Sequence, residues 1–112
     1  MAKEETLPGG VTQKQIAHWK AQYGAVFEII VKTDDNDPSK EVHGYFRKPD
    51  LKIIQAASKF IDTDPLKGGL IQLENCFLGG DDAFKDDDEV RVSAIQALNR
   101  IFRIRIAEIK NL

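Results

Sequence analysis

The chain has 112 residues, 42% of them hydrophobic and 30% charged, with a formal net charge of −2. That is the composition of one folded domain, not a disordered segment, and a chain of this size hides roughly two-thirds of its unfolded surface without disulfide staples. The lone cysteine, Cys76, rules out an internal disulfide, the weakly acidic balance argues against bulk binding to nucleic acid or anionic membrane, and no run approaches the roughly 20 apolar residues of a membrane span.

Residues 1–10 are polar and close on Pro8-Gly9-Gly10, which predicts a flexible arm ahead of a single α+β domain over residues 11–112. The arm has no apolar secretory core, so a cytoplasmic location is expected. Thr12-Gln13-Lys14-Gln15 fits a capping box and opens a helix with Ile16, Trp19 and Tyr23 at helical spacing. Gly24 stops it, since glycine reaches positive φ at little cost. Residues 25–33 alternate with period two, Phe27, Ile29 and Val31 against Glu28, Ile30 and Lys32. After a loop of turn formers, residues 42–47 form the return strand of a two-stranded hairpin. A hairpin alone is marginal in water, so one face must pack on helices.

Pro49-Asp50 opens a second helix to about Ile61, with Leu51, Ile54, Ala57 and Phe60 as its stripe. Asp64-Pro65 opens a third in the same way, carrying Leu66, Leu70, Leu73 and Phe77. Gly68-Gly69 lies inside it, and each glycine costs up to about 1 kcal/mol relative to alanine. Gly79-Gly80 is expected to end that helix. A terminal helix is predicted from Asp88 to the end of the chain, acidic at its start and basic toward its end, as the macrodipole favours. The predicted fold is α+β: an N-terminal helix, a two-stranded β-hairpin, then three helices.

Strong chemistry is scarce. His18, His43 and Cys76 complete the stock of soft ligands and likely nucleophiles, and no pair has zinc spacing. The loop from Asp35 resembles a calcium loop only in its alternating Asp35, Asp37, Ser39 and Glu41. Its sixth and twelfth positions hold Lys40 and Phe46 in place of glycine and glutamate. Asp81, Asp82, Asp86, Asp87, Asp88 and Glu89 read as a hydrated, helix-capping cluster in preference to a metal site. No phosphate-loop, dinucleotide or nucleophile-elbow motif occurs. No catalytic residue, metal or cofactor is expected.

The terminal stretch carries Arg91, Arg100, Arg103, Arg105 and Lys110 against one acidic residue, Glu108. Helical spacing scatters these cations, so a small DNA-associated regulator using Arg100, Arg103 and Lys110 is the alternative reading, not the first. On a helical wheel, Ile95, Leu98, Phe102, Ile106 and Ile109 form one arc. Val90, Ala94, Ala97, Ile101, Ile104 and Leu112 form another. Together they span roughly 200°, twice the ~100° stripe of a one-sided surface helix. The second arc is therefore expected to meet a partner or a second copy through Val90, Ile101, Ile104 and Leu112, with Arg105 reaching an acidic group.

Three stretches occur in order: AHWKAQYGAVFEIIV, GYFRKPDLKIIQAA, and LENCFLGGDDAFKDDDE before the terminal helix. Together they resemble small proteins encoded among the tail genes of tailed bacteriophages and prophages, of the tail assembly chaperone-like kind. The resemblance spans about residues 14–112 and rests on Trp19, Tyr23, Phe46, Arg47, Lys48, Pro49, Asn75, Cys76 and Asp81. None of these is a catalytic signature, and no site residue is carried over. The resemblance implies a non-enzymatic protein of the host cytoplasm. Such a protein holds a tape-measure or tail-tube subunit during virion tail assembly, as an oligomer and without a cofactor.

Overall fold

Period-two alternation in the first half of the chain becomes a sheet. The computed structural model describes residues 6–101 and 107–112. In it β1 (Val26–Lys32) pairs antiparallel with β2 (Glu41–Arg47), placing Ile29 opposite Gly44 and Val31 opposite Val42. The loop between them is held by its own side chains. The Asp34 and Asp37 carboxylates accept from the amides of Asn36 and Ser39 at 2.9 and 3.0 Å, forming two Asx turns.

The sheet departs from the expected hairpin. A third strand, β3 (Phe77–Gly80), pairs on the free edge of β2, giving the order β1-β2-β3 among the described residues. The helix expected to run to Gly79-Gly80 ends at Cys76, and Phe77 turns extended with φ −68° and ψ 122°. The cause is tertiary. The Phe77 ring packs 5.4 Å from that of Phe46 and 5.9 Å from that of Phe84. A side chain at Gly79 would sit 2.8 Å from the Trp19 ring, so the glycine pair is a strand thin enough to lie beneath an indole.

Helix starts follow local chemistry. In α1 (Gln13–Tyr23) the Gln15 amide donates to Thr12 Oγ1 at 3.2 Å while the Thr12 amide donates to Gln15 Oε1 at 2.9 Å, the expected capping box. Asp50 caps α2 (Leu51–Ser58) by accepting from Ile53 N at 2.9 Å, and Asp64 caps α3 (Pro65–Cys76) by accepting from Lys67 N at 3.2 Å. A short helix not foreseen in the sequence, α4 (Ala83–Asp86), precedes α5 (Asp88–Ile101). Asp87 between them accepts from the amides of Glu89 and Val90.

The sheet has helices on both faces. On one, Ile29 and Phe46 meet Ile53, Leu73, Phe84 and Leu98 in the core. On the other, α1 lays Trp19 beside Tyr45, ring centroids 6.4 Å apart, and Tyr23 beneath the Arg47 guanidinium at 4.6 Å. The expected free arm is docked from Thr6 onward. Thr6 bridges to Thr12, Pro8–Gly10 forms a 3-10 turn, and the Tyr45 hydroxyl lies 2.9 Å from the Pro8 carbonyl. No helix among the described residues is long and apolar enough to cross a membrane.

Helix α5 corrects a larger expectation. It is described only as far as Ile101, and residues 107–112 carry no regular secondary structure and are exposed. Within α5 both apolar arcs are covered by the chain itself, because β1, α3 and α4 all pack on it. Val90, from the arc expected to be free, is 2% exposed, and Ala97 and Ile101 pack against the core.

Candidate protein-docking groove

The described residues leave an apolar opening between α2, α3 and α5, with a volume of about 360 Å³. Its floor explains the costly Gly68-Gly69 pair. A Cβ on Gly68 would lie 2.9 Å from the Ala57 carbonyl oxygen, and one on Gly69 would lie 2.6 Å from Ile95 Cγ2. The glycines let α3 approach α2 and α5 closely and leave a floor without side chains. Ile54, Ile61 and Ile95 form walls, while Ser58, Gln72 and Asn99 supply polar edges. The Ser58 hydroxyl already donates to the Ile54 carbonyl.

No titratable side chain lines this groove. A catalytic pocket needs convergent acids, bases or nucleophiles, and this opening offers shape and apolar contact instead. Ile61, one of its walls, is 65% exposed, and Leu51 on α2 and Leu66 on α3 are 68 and 54% exposed, although each belongs to the apolar stripe of its helix or the turn after it.

The residues expected to bind a partner do not come together here. Val90 is in the core, Ile101 is half-buried at the end of α5, and Leu112 is fully exposed. Ile104 and Arg105 lie outside the described residues. Of the cations in the DNA reading, Arg100 and Lys110 are exposed and Arg103 lies outside the described residues. The wheel gave no hint of the groove, but the sequence held one signal for it: two glycines spent inside a helix, with no turn nearby to require them.

The other clusters are paired among themselves, except that Arg47 Nε and Arg91 Nε are buried without a hydrogen-bond partner among the described residues. His43 lies between two carboxylates, its Nδ1 3.3 Å from Glu28 and its Nε2 3.0 Å from Glu41. The Tyr45 hydroxyl is 2.8 Å from the same Glu28. Burial first, and then the hydrogen bond to Glu28, push the Tyr45 phenol up to about 12. The His43 amide donates to Asp81, and the Asp81 amide returns a bond to the His43 carbonyl, so Asp81 fastens β3 to β2. Cys76 is fully buried, and desolvation pushes its thiol up to about 11, which suits a core residue and not a nucleophile. His18 is exposed on α1. Among the described residues, no group of three or more His, Cys, Asp or Glu is arranged to hold a metal. In the smaller cavity beside Phe77 and Phe84, Arg91 is engaged by Glu74 at 3.2 Å and Asp88 at 3.9 Å.

No protein-family description, curated protein or solved structure matches the chain.

Proposed function

We propose that the protein acts without chemistry, as an assembly protein that holds an apolar segment of another protein in the α2–α3–α5 groove. The observation that carries this reading is a groove lined by isoleucines, one of them the exposed Ile61, floored by glycines and free of titratable groups. Such a surface gains from covering aliphatic side chains and offers nothing to polarise a bond. The sequence resemblance supplies the class of partner: a tape-measure or tail-tube subunit of a bacteriophage or prophage, met in the host cytoplasm before the tail closes.

Calorimetric titration against the purified tail-tube subunit and the tape-measure protein encoded with this chain tests the reading. Binding to one of them is expected, with the negative heat-capacity change of apolar burial, and at least tenfold weaker in Ile61→Asp. Failure of both proteins to bind, or equal binding by the variant, overturns the reading. Duplex DNA at low salt is the control arm, because phosphate contacts are strongest there. Tight DNA binding would favour the regulatory alternative.

A further inference from the structure

Strand β1 has one neighbour, β2, and its other edge meets no strand among the described residues. Opposed residues of an antiparallel pair alternate between those that exchange main-chain hydrogen bonds and those that do not. The Thr33 amide donates to the Lys40 carbonyl at 3.1 Å, one step past the Lys32–Glu41 pair in the same register. Phe27, Ile29 and Val31 therefore turn their main-chain groups toward β2, and Glu28, Ile30 and Lys32 turn theirs to the open edge. His43 gives the same phase, since it stands opposite Ile30 and its carbonyl accepts from the Asp81 amide on the β3 side. The side chains of Glu28, Ile30 and Lys32 are exposed on the sheet face that carries Tyr45, Ile30 by 48%. We infer that this edge pairs with β1 of a second copy, antiparallel, about a two-fold axis at Ile30. No residue of the α2–α3–α5 groove takes part.

The order of charge along the edge selects that partner. Glu28, Ile30 and Lys32 read acidic, apolar, basic. A two-fold axis at Ile30 sets Glu28 opposite Lys32 of the second copy, Ile30 opposite Ile30, and Lys32 opposite Glu28. All are outward-directed positions, so the three pairs exchange about six main-chain bonds. Their side chains share one face, and Ile29 falls opposite Val31 on the core face. Other registers fail. An axis at Glu28 or at Lys32 opposes like charges, an axis at Val31 sets Glu28 against Asp34, and an axis at Ile29 sets it against Ile30. A slip of one residue in the pairing opposes the two faces and their bonding phases. The two charged side chains are ready for the pairing. The Glu28 carboxylate is held in place, accepting from the Tyr45 hydroxyl at 2.8 Å and lying 3.3 Å from His43 Nδ1. Lys32 makes no ion pair among the described residues. Charges on an edge strand usually turn other strands away, but this order of charges complements an antiparallel copy of itself.

Amide hydrogen exchange, read residue by residue by NMR from micromolar to millimolar concentration, tests this on the full chain. The amides of Glu28, Ile30 and Lys32 are expected to gain at least tenfold protection as concentration rises. Those of Phe27, Ile29 and Val31, already bonded to β2, should change far less. Over the same range, sedimentation equilibrium should show the mass rising from 12.6 kDa toward twice that value. Lys32→Glu opposes carboxylates in both charged pairs and should weaken association at least tenfold. Glu28→Lys opposes ammonium groups and should do the same. Mixed in equal amounts, the two variants are expected to associate as the parent does, because each glutamate again meets a lysine. Far-ultraviolet circular dichroism checks both folds. If Glu28→Lys, which also gives up the Tyr45 bond, does not fold, Lys32→Glu decides alone. A mass of 12.6 kDa throughout, outward amides whose exchange ignores concentration, or association untouched by Lys32→Glu would each overturn the inference. Protection of those amides only when the tail-tube subunit or tape-measure protein is added would give the edge to a foreign strand and overturn it too. None of these outcomes bears on the groove, which has its own titration.

Discussion

Helix α5 and the α2–α3 pair are both rich in apolar side chains, and the fold treats them in opposite ways. Helix α5 is packed by β1, α3 and α4, so Val90, Ala94 and Leu98 disappear into the core, and Ile95 is buried where it forms a wall of the groove. Helices α2 and α3 pack on each other, but Ile53 is the only buried residue of α2, and Leu51, Ile61 and Leu66 stay exposed. The breadth of an apolar arc on a wheel therefore measures demand for cover. Whether that demand is met depends on how many elements surround the helix. Apolar side chains stay open to solvent where the neighbours run out, which here is along α2 and α3.

The comparison can be broken most forcefully at Leu98. Leu98→Ala should cost about 2–5 kcal/mol, the range for emptying a packed aliphatic site, read as a lower urea midpoint. A loss under ~0.5 kcal/mol would mean that α5 is not enclosed. Gly68→Ala comes next. Helix propensity alone would reward it by up to about 1 kcal/mol, but the Ala57 carbonyl stands where the new methyl must go. A net loss of roughly 1–3 kcal/mol is expected, and a gain would show that α2 and α3 are not locked together. Asp87→Ala removes the side chain that accepts from the first amides of α5 and should cost about 1 kcal/mol. The smallest effect belongs to the open side. Ile61→Asp should change stability by no more than ~0.5 kcal/mol while weakening docking tenfold or more. A large destabilisation there would show that the groove wall is part of the core.

The sheet's outer face adds a pH-dependent check. The Tyr45 phenol holds its proton to about 12 in the fold, whereas an unfolded tyrosine releases it near 10. The unfolded chain thus loses the proton first. The stabilisation is complete below about pH 10 and disappears as pH rises toward 12. Absorbance of the phenolate in a Tyr23→Phe background should place the Tyr45 transition near 12. A transition near 10 would mean that Tyr45 is not held between Glu28 and the Pro8 segment.

Much of the fold was legible because it is written locally. The Thr12–Gln15 box, the Asp50 and Asp64 caps, Pro65 at a helix start, and the alternation of Phe27, Ile29 and Val31 each need only near neighbours in sequence. Strand β3 was not legible. Four residues, two of them glycine, carry no alternation, and they are extended only because Phe77 meets Phe46 and Phe84 while Trp19 covers Gly79. The burial of Val90 was not legible for the same reason. It looked free because nothing in the sequence says that β1, α3 and α4 would pack on α5. The groove's one local trace, Gly68-Gly69, was visible as a cost without a visible benefit. The benefit is close contact with Ala57 and Ile95, residues remote in the chain.

The claim that docking takes place on the open side of α2–α3 is tested most directly by following the isoleucine methyl resonances while the tail-tube subunit or tape-measure protein is added. Ile54, Ile61 and Ile95 should shift together, while Ile29 and Ile53 in the core and Ile30 on the opposite sheet face stay still. Shifts confined to Ile30 or Ile16, with the three groove methyls unmoved, would contradict it.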